Sequence, residues 1–205
     1  DILATTGVHI GGTDFDHKLN VAEVQPLLGL GHHGPSGREV PSRVFYDLST
    51  WHLIQWLYTA KALREAEALR SDYSDRHLHA RLMRVLEEQA GHRLADAVEQ
   101  GKITASSTAA VAPLDLGWVE SGLAAQITPE GLEQHLQALL AEVVKCAQEC
   151  VNKAGLRKEQ ITALYLTGGS SALQTLRDAL KLAFPTTPQV AGDLFGGVAA
   201  GLAYA

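Results

Sequence analysis

Apolar residues recur along the chain with two different periods, and the change between them marks out its elements. Phe15, Leu19 and Val24 share a helical face behind Asp14, a residue suited to cap that helix, and Pro26 and Gly29 close the segment. Ser49 or Thr50 opens a helix expected to reach about Arg70. It turns Trp51, Ile54, Leu57 or Tyr58, and Leu63 inward and Arg64, Glu65, Glu67 and Arg70 outward. Ser74 or Asp75 caps a second long helix with the stripe Leu78, Leu82, Val85, Leu86, Leu94, Ala97 and Val98; Gly91 is a soft spot inside it and Gly101 its expected end. Thr128-Pro129-Glu130 gives a cap, a proline at the first helical position and an acid at the second. The helix it starts carries Leu132, Leu136, Leu139, Val143, Ala147 and Val151 and stops near Gly155.

Shorter apolar runs read as strands. Asp1 to Thr6 is one, leading into the diglycine Gly11-Gly12. Lys102 to Leu114 is β-like, Pro113 to Gly117 is turn material, and Leu123 to Thr128 returns as the partner strand of a hairpin. Ala163 to Leu166 is a buried strand ended by Gly168-Gly169. Ser170 or Ser171 can cap the helix that follows, which carries Leu173, Leu176, Leu180 and Ala183 on one face. Pro188 to Ala191 is a further short strand, and Gly192-Asp193 precede a last helix with a small-residue face at Gly197, Ala200 and Gly201. His33 to Ser42 reads as an exposed loop. Helix and strand alternate in the last third, so an α/β fold with a mostly parallel sheet is expected there, beside a separate α+β lobe in the middle.

Composition narrows the function classes. The chain has 205 residues, 46% of them hydrophobic, and a formal net charge of -6. That balance gives no general attraction to nucleic acid or to an anionic membrane. No apolar run approaches the roughly 20 residues of a membrane helix. Cys146 and Cys150 sit one helical turn apart, which suits neither a disulfide framework nor, alone, a zinc site, so a reducing cytoplasm is the expected compartment. The chain opens on a strand rather than on Met and reads as a piece of something longer. His32-His33 and His77-x-His79 read as solvated histidines rather than metal ligands, and the three tryptophans as packing. A strand, a diglycine and a capped helix make a cradle for an anion or a nucleotide, although a plain strand-to-helix turn has the same pattern.

Taken together, Ile10-Gly-Gly-Thr-Asp-Phe-Asp16, Glu99-Gln-Gly-Lys-Ile-Thr-Ala-Ser-Ser107 and Leu164-Tyr-Leu-Thr-Gly-Gly-Ser-Ser171 resemble, in order and spacing, the second half of the ATPase domain of the seventy-kilodalton heat-shock chaperones. The ending Asp193-Leu-Phe-Gly-Gly-Val-Ala-Ala-Gly-Leu-Ala agrees with that domain's closing helix. The insertion from Pro26 to Arg81 looks more like the divergent bacterial branch typified by YegD.

The resemblance implies an actin-like fold, with residues 1–8 and 127–205 as the lower subdomain of the second lobe and 9–126 as the upper, mobile one. It implies ATP or ADP as ligand, with Mg²⁺ held only when the first lobe is present. Gly11 and Gly12 would lie near the phosphates or ribose. Glu99 and Lys102 would reach the ribose hydroxyls, and Ser106 the adenine edge. Gly168, Gly169 and Ser170 would line the nucleoside floor, with Asp193 below the adenine pocket. Ala172 and Ile103 stand where many members of the family place basic residues on adenine, so weaker ATP binding is expected. No Asp-x-Gly-Thr hairpin and no Walker-type loop occurs in the sequence, so the chain alone is not expected to hydrolyse ATP. Implied partners are the nucleotide, an exchange factor or co-chaperone on the upper subdomain, and a second copy through an exposed sheet edge at residues 1–8 and 162–168. The alternatives are a docking module of a degenerate chaperone homologue, or another actin-like ATPase of the kinase or filament type. Glu99 and Lys102 also fit a simple exposed helix-end pair.

Overall fold

Phe15, Leu19 and Val24 are all buried, but the last spacing is five residues rather than four. The structure, a computed structural model describing residues 1–192, accommodates this by ending α1 (Gly12–Leu19) in a π-helical segment, Asn20–Val24. The wider π turn brings a residue five positions on back under its neighbour. Asp14 lies in the first turn of α1, where its charge favours the helix dipole, and not at a cap ahead of it. A 3-10 turn, Gln25–Leu28, follows and ends at Gly29 with φ 116, a backbone conformation for which glycine is suited.

The chain divides into two units, one Thr13–His135 and the other Asp1–Gly12 together with the chain from Leu136. In the first unit the long helix expected from Ser49 to Arg70 is broken. α2 is Arg43–Leu48, a 3-10 segment runs Ile54–Tyr58, and α3 is Ala60–Ala68. Thr59 is extended (ψ 147) and its hydroxyl accepts from the Ala62 amide, so it stops one helix and caps the next. Trp51 and Trp56 point outward, 52% and 64% exposed, which corrects the inward placement of Trp51. The loop from His33 to Ser42 is exposed over most of its length and carries an isolated antiparallel bridge between His33 and Glu39. Tyr73 seals this region: its hydroxyl donates to the Leu28 carbonyl at 3.0 Å, and its ring stacks on His32 and meets His79 edge-on.

The second long helix is two helices. α4 (Arg76–Glu87) is capped by Asp75, as expected, whose carboxylate accepts from the His77 amide. Gln89 turns to φ 52, and α5 (Gly91–Thr108) starts afresh. Gly91 marks that break because a Cβ there would meet Ile54, Leu48 and the Tyr58 hydroxyl, and its amide donates to that hydroxyl. Gly101 is not a helix end, and residues 102–108 are helical rather than β-like. A Cβ at Gly101 would meet Leu114 Cδ2 at 2.5 Å and Ile127 Cδ1 at 3.0 Å, so the glycine lets α5 lie flat on the hairpin. That hairpin pairs β1 (Ala112–Asp115) antiparallel with β2 (Ala124–Ile127), placing Ala112 opposite Ile127; the return strand falls within Leu123 to Thr128 as expected, but Pro113 to Asp115 are paired strand rather than turn.

α6 (Pro129–Lys153) starts where Thr128 predicts, its hydroxyl accepting from the Gly131 amide. It ends near Gly155, which has φ 70. In the second unit β3 (Leu164–Leu166) pairs in parallel with β4 (Gln189–Ala191), with α7 (Gln174–Ala183) in the chain between them. Leu173, Leu176, Leu180 and Phe184 are buried beneath α7. The opening segment forms no strand. Ile2 and Leu3 are 86% and 67% exposed, and residues 1–8 are tied to α6 instead, Thr6 Oγ1 donating to the Cys146 carbonyl and Cys150 Sγ to that of Ala4. The segment is therefore irregular backbone beside α6 rather than the strand expected from its sequence.

Candidate functional site

α5 sets the first group of candidate residues. Glu99, Lys102 and Ser106 follow each other at i, i+3 and i+7, which puts them on one face of the helix. Glu99 is exposed, Ser106 half-buried and Lys102 buried. An ammonium is rarely buried unless paired. Here the pair is Asp16 of α1, whose Oδ1 lies 2.7 Å from Lys102 Nζ. Apart from that ammonium, Asp16 Oδ1 is shut off from solvent and meets no hydrogen-bond donor among the described residues. Burial pushes the Asp16 carboxyl above its ordinary range. The ammonium of Lys102 works against that shift, and the negative charge of Glu99 adds to it. The three charged groups therefore form one electrostatic unit, held by two helices of the same compact unit.

Asp16 is the residue that sequence reasoning passed over. Its signal was present in the Gly-Gly-Thr-Asp-Phe-Asp turn, where it follows the buried Phe15. What the sequence lacks is any indication that a lysine 86 positions later (102 − 16) closes on it. Gly11 and Gly12 stand at the start of α1, half-buried, Gly12 being the first helical residue.

The second group lies on the β3–α7 connection. Gly168 has φ 82, and a Cβ added there would meet nothing within 4 Å. Its conformation, not crowding, calls for glycine, and the backbone is left open to an approaching group. Gly169 is exposed and begins a 3-10 turn, Gly169–Ala172. Neither serine caps α7, whose N-cap is Leu173. Ser171 folds back instead, its amide and hydroxyl donating to the Gly168 carbonyl at 3.0 and 2.7 Å. Arg177 Nε donates to the Ser171 carbonyl, bracing the turn from the helix side. Ser170 is half-buried, and Ala172 is exposed. Ile103, one position beyond Lys102, is 48% exposed. Asp193 and the expected last helix lie outside the described residues.

A groove of about 620 Å³ in the Thr13–His135 unit, floored by Val44, Leu53, Trp56 and Leu57, holds none of these residues. No helix among the described residues is long and apolar enough to cross a membrane.

Mixed helices with small sheets, one of them parallel and followed by a glycine-bearing turn into a helix, define a protein of α/β class. A family model described as Hsp70 protein matches residues 77–204, more than half of the chain. The chain belongs to the Hsp70 family, whose chaperone-type domain binds ATP and ADP. The matched stretch includes Glu99, Lys102, Ser106, Gly168, Gly169, Ser170 and Asp193, and leaves Gly11, Gly12 and Asp16 outside it.

Proposed function

We propose that this chain supplies the nucleoside contacts, and part of the phosphate contacts, of a chaperone-type ATPase. In this reading it is the second lobe of an actin-like ATPase domain of the YegD-like branch. Residues 1–8 and 127–205 are its lower subdomain and 9–126 its upper one. The observation that carries the reading is the α5 face: a carboxylate, an ammonium and a hydroxyl at Glu99, Lys102 and Ser106, with the ammonium buried and oriented by a counter-charge.

The donor set fits a ribose. A vicinal diol offers two donors and up to four acceptor lone pairs, which one carboxylate and one ammonium complement. Gly168 and Gly169 leave open backbone against which a planar base can rest, and Ser170 adds a hydroxyl beside them. Gly11 and Gly12 stand at the start of α1, the end of the helix whose dipole suits an anion. A bound ATP would bring the scissile phosphoanhydride; this chain's part is to bind and orient the adenosine end. Neither Ala172 nor Ile103 offers a cation to stack on the base, so affinity is lower than a stacked arginine would give.

Calorimetric titration with ADP and ATP tests the reading. Binding that Lys102→Met weakens by about tenfold, the loss of one charge-assisted contact, is the expected result. Nucleotide binding that is indifferent to Lys102, Glu99 and Ser106 substitution would overturn it. An exchange factor or co-chaperone is the protein partner this assignment implies.

A further inference from the structure

We infer that Asp16 is a positioning residue for nucleotide binding: it pairs with Lys102 and aims it, so that the ammonium reaches the ribose hydroxyls. This rests on the reading of Lys102 as a ribose contact.

The argument begins with what the pair does for the fold. A lysine ammonium at 10% side-chain exposure and a carboxylate at 18% are both largely out of water. Ion pairs so buried contribute little net stability, because desolvation offsets their attraction. For Asp16 the balance is visible in the direction of its titration, which burial moves upward despite the ammonium 2.7 Å away. A pair that gains the fold little still fixes a geometry. An ammonium has three donor hydrogens and no acceptor. Asp16 engages it from the α1 side, which fixes the Lys102 side chain and leaves two hydrogens for other oxygens. Without the carboxylate, no other ion pair among the described residues holds the Lys102 side chain in that direction.

Glu99 has a different place in this arrangement. It sits one turn earlier on α5, is exposed, and raises the Asp16 carboxyl by like-charge repulsion. Lys102 is thus attracted from the buried side by Asp16 and flanked on the exposed side by Glu99. A diol entering from solvent would meet the Glu99 carboxylate and the Lys102 ammonium together, while Asp16 stays behind the ammonium and touches no ligand atom. That separation makes Asp16 a positioning group and not a contact.

The test measures ADP and 2′,3′-dideoxy-ADP binding by calorimetry on the protein in its natural full-length form. The variants are Asp16→Asn, Lys102→Met, the double variant and Asp16→Glu, each checked by thermal unfolding. Asp16→Asn is expected to weaken ADP about tenfold and dideoxy-ADP by less than twofold, because the dideoxy ligand lacks the hydroxyls that the ammonium would reach. The double variant is expected to bind no more weakly than Lys102→Met, since both act through one contact. Asp16→Glu, which keeps the charge one methylene away, is expected to recover part of the loss.

Equal losses for the two ligands in Asp16→Asn would mean a merely structural role and overturn the proposal. So would full ADP affinity in that variant while Lys102→Met is weakened, and in both cases the ribose reading of Lys102 stands. Unchanged ADP affinity in Lys102→Met would instead overturn the ribose reading, and this proposal with it. If Asp16→Asn fails to fold, Asp16→Glu decides by the same ligand comparison: a loss confined to ADP supports positioning, and an equal loss overturns it.

Discussion

Substituting Lys102 by methionine isolates the buried pair and should make the protein's stability depend on pH in a particular way. At 2.7 Å and an effective dielectric of about 20, the attraction between the two charges is about 6 kcal/mol. The Asp16 carboxyl nevertheless titrates above its ordinary range, so carboxylate desolvation outweighs the attraction it receives. Removing the ammonium leaves that desolvation unopposed, and breaking a buried pair of this kind costs about 3 kcal/mol. A carboxyl whose folded pKa is raised contributes stability in full below its unfolded value, and that contribution is lost as pH rises through the folded value. Lys102→Met raises the folded value further. The gap between variant and wild type should therefore be largest near pH 8 and narrow on acidification by up to about 1.4 kcal/mol per pH unit, as Asp16 takes up a proton. The double variant Asp16→Asn/Lys102→Met, a neutral pair of similar volume, should lie within about 1 kcal/mol of wild type. Urea unfolding between pH 5 and 8 gives all three curves. A gap that does not change with pH, or a double variant as unstable as the single one, would refute the reasoning.

Three further outcomes concern contacts away from this pair. A Cβ at Gly34 would collide with the Asp72 carbonyl oxygen, a backbone atom that cannot rotate away, so Gly34→Ala should cost about 2 kcal/mol, whereas Gly7→Ala, with nothing within 4 Å, should be near neutral in the same melts. Tyr73→Phe leaves the Leu28 carbonyl without the donor it has at 3.0 Å and should lower stability by about 1 to 2 kcal/mol in urea unfolding. Glu120, bonded through both oxygens to Arg81 at 2.9 and 2.7 Å, is held below the ordinary carboxylate range by that guanidinium. Its stabilisation is present above the unfolded carboxyl's pKa and lost as pH falls through the lower folded value, so Glu120→Gln should flatten the acid limb of the stability profile, read by thermal unfolding from pH 6 down to pH 3.

The sequence was legible wherever a local rule decided the outcome. Thr128 and Pro129 announce α6, Asp75 announces α4, and the return strand β2 is visible in the run Leu123 to Thr128. It misled where a contact distant in sequence decided. Gly91 reads from the sequence only as a soft spot inside the stripe from Leu78 to Val98, yet it packs against Leu48, Ile54 and Tyr58 and the helix breaks just before it. Gly101 looks like a helix end until the hairpin side chains Leu114 and Ile127 are seen above it. The apolar opening residues look like a strand, but a strand needs a partner, and the bonds from Thr6 and to Ala4 run to α6 instead. The α5 face was affected in the same way. Reading residues 102–114 as β-like would have alternated Lys102 and Ser106 with their neighbours on a pleat, and only the helix brings them into line with Glu99.

That alignment bears on why a buried charge is kept at Lys102 at all. A leucine or methionine there could pack beneath α1 without a counter-charge, and the fold would not need Asp16. The protein instead buries an ammonium and a carboxylate together, with the carboxyl's proton affinity raised by burial, and places an exposed carboxylate one turn away on the same helix face. For stability alone this arrangement returns little, and its sequence neighbours Gly101 and Ile103 show that the helix tolerates small and apolar residues on either side. The arrangement is economical for a site: one charge is oriented before any ligand arrives, so binding need not order it. A polar diol is the ligand such a fixed pair would distinguish from a deoxygenated one, and that is why the comparison of ADP with its dideoxy analogue separates a binding device from a structural ion pair.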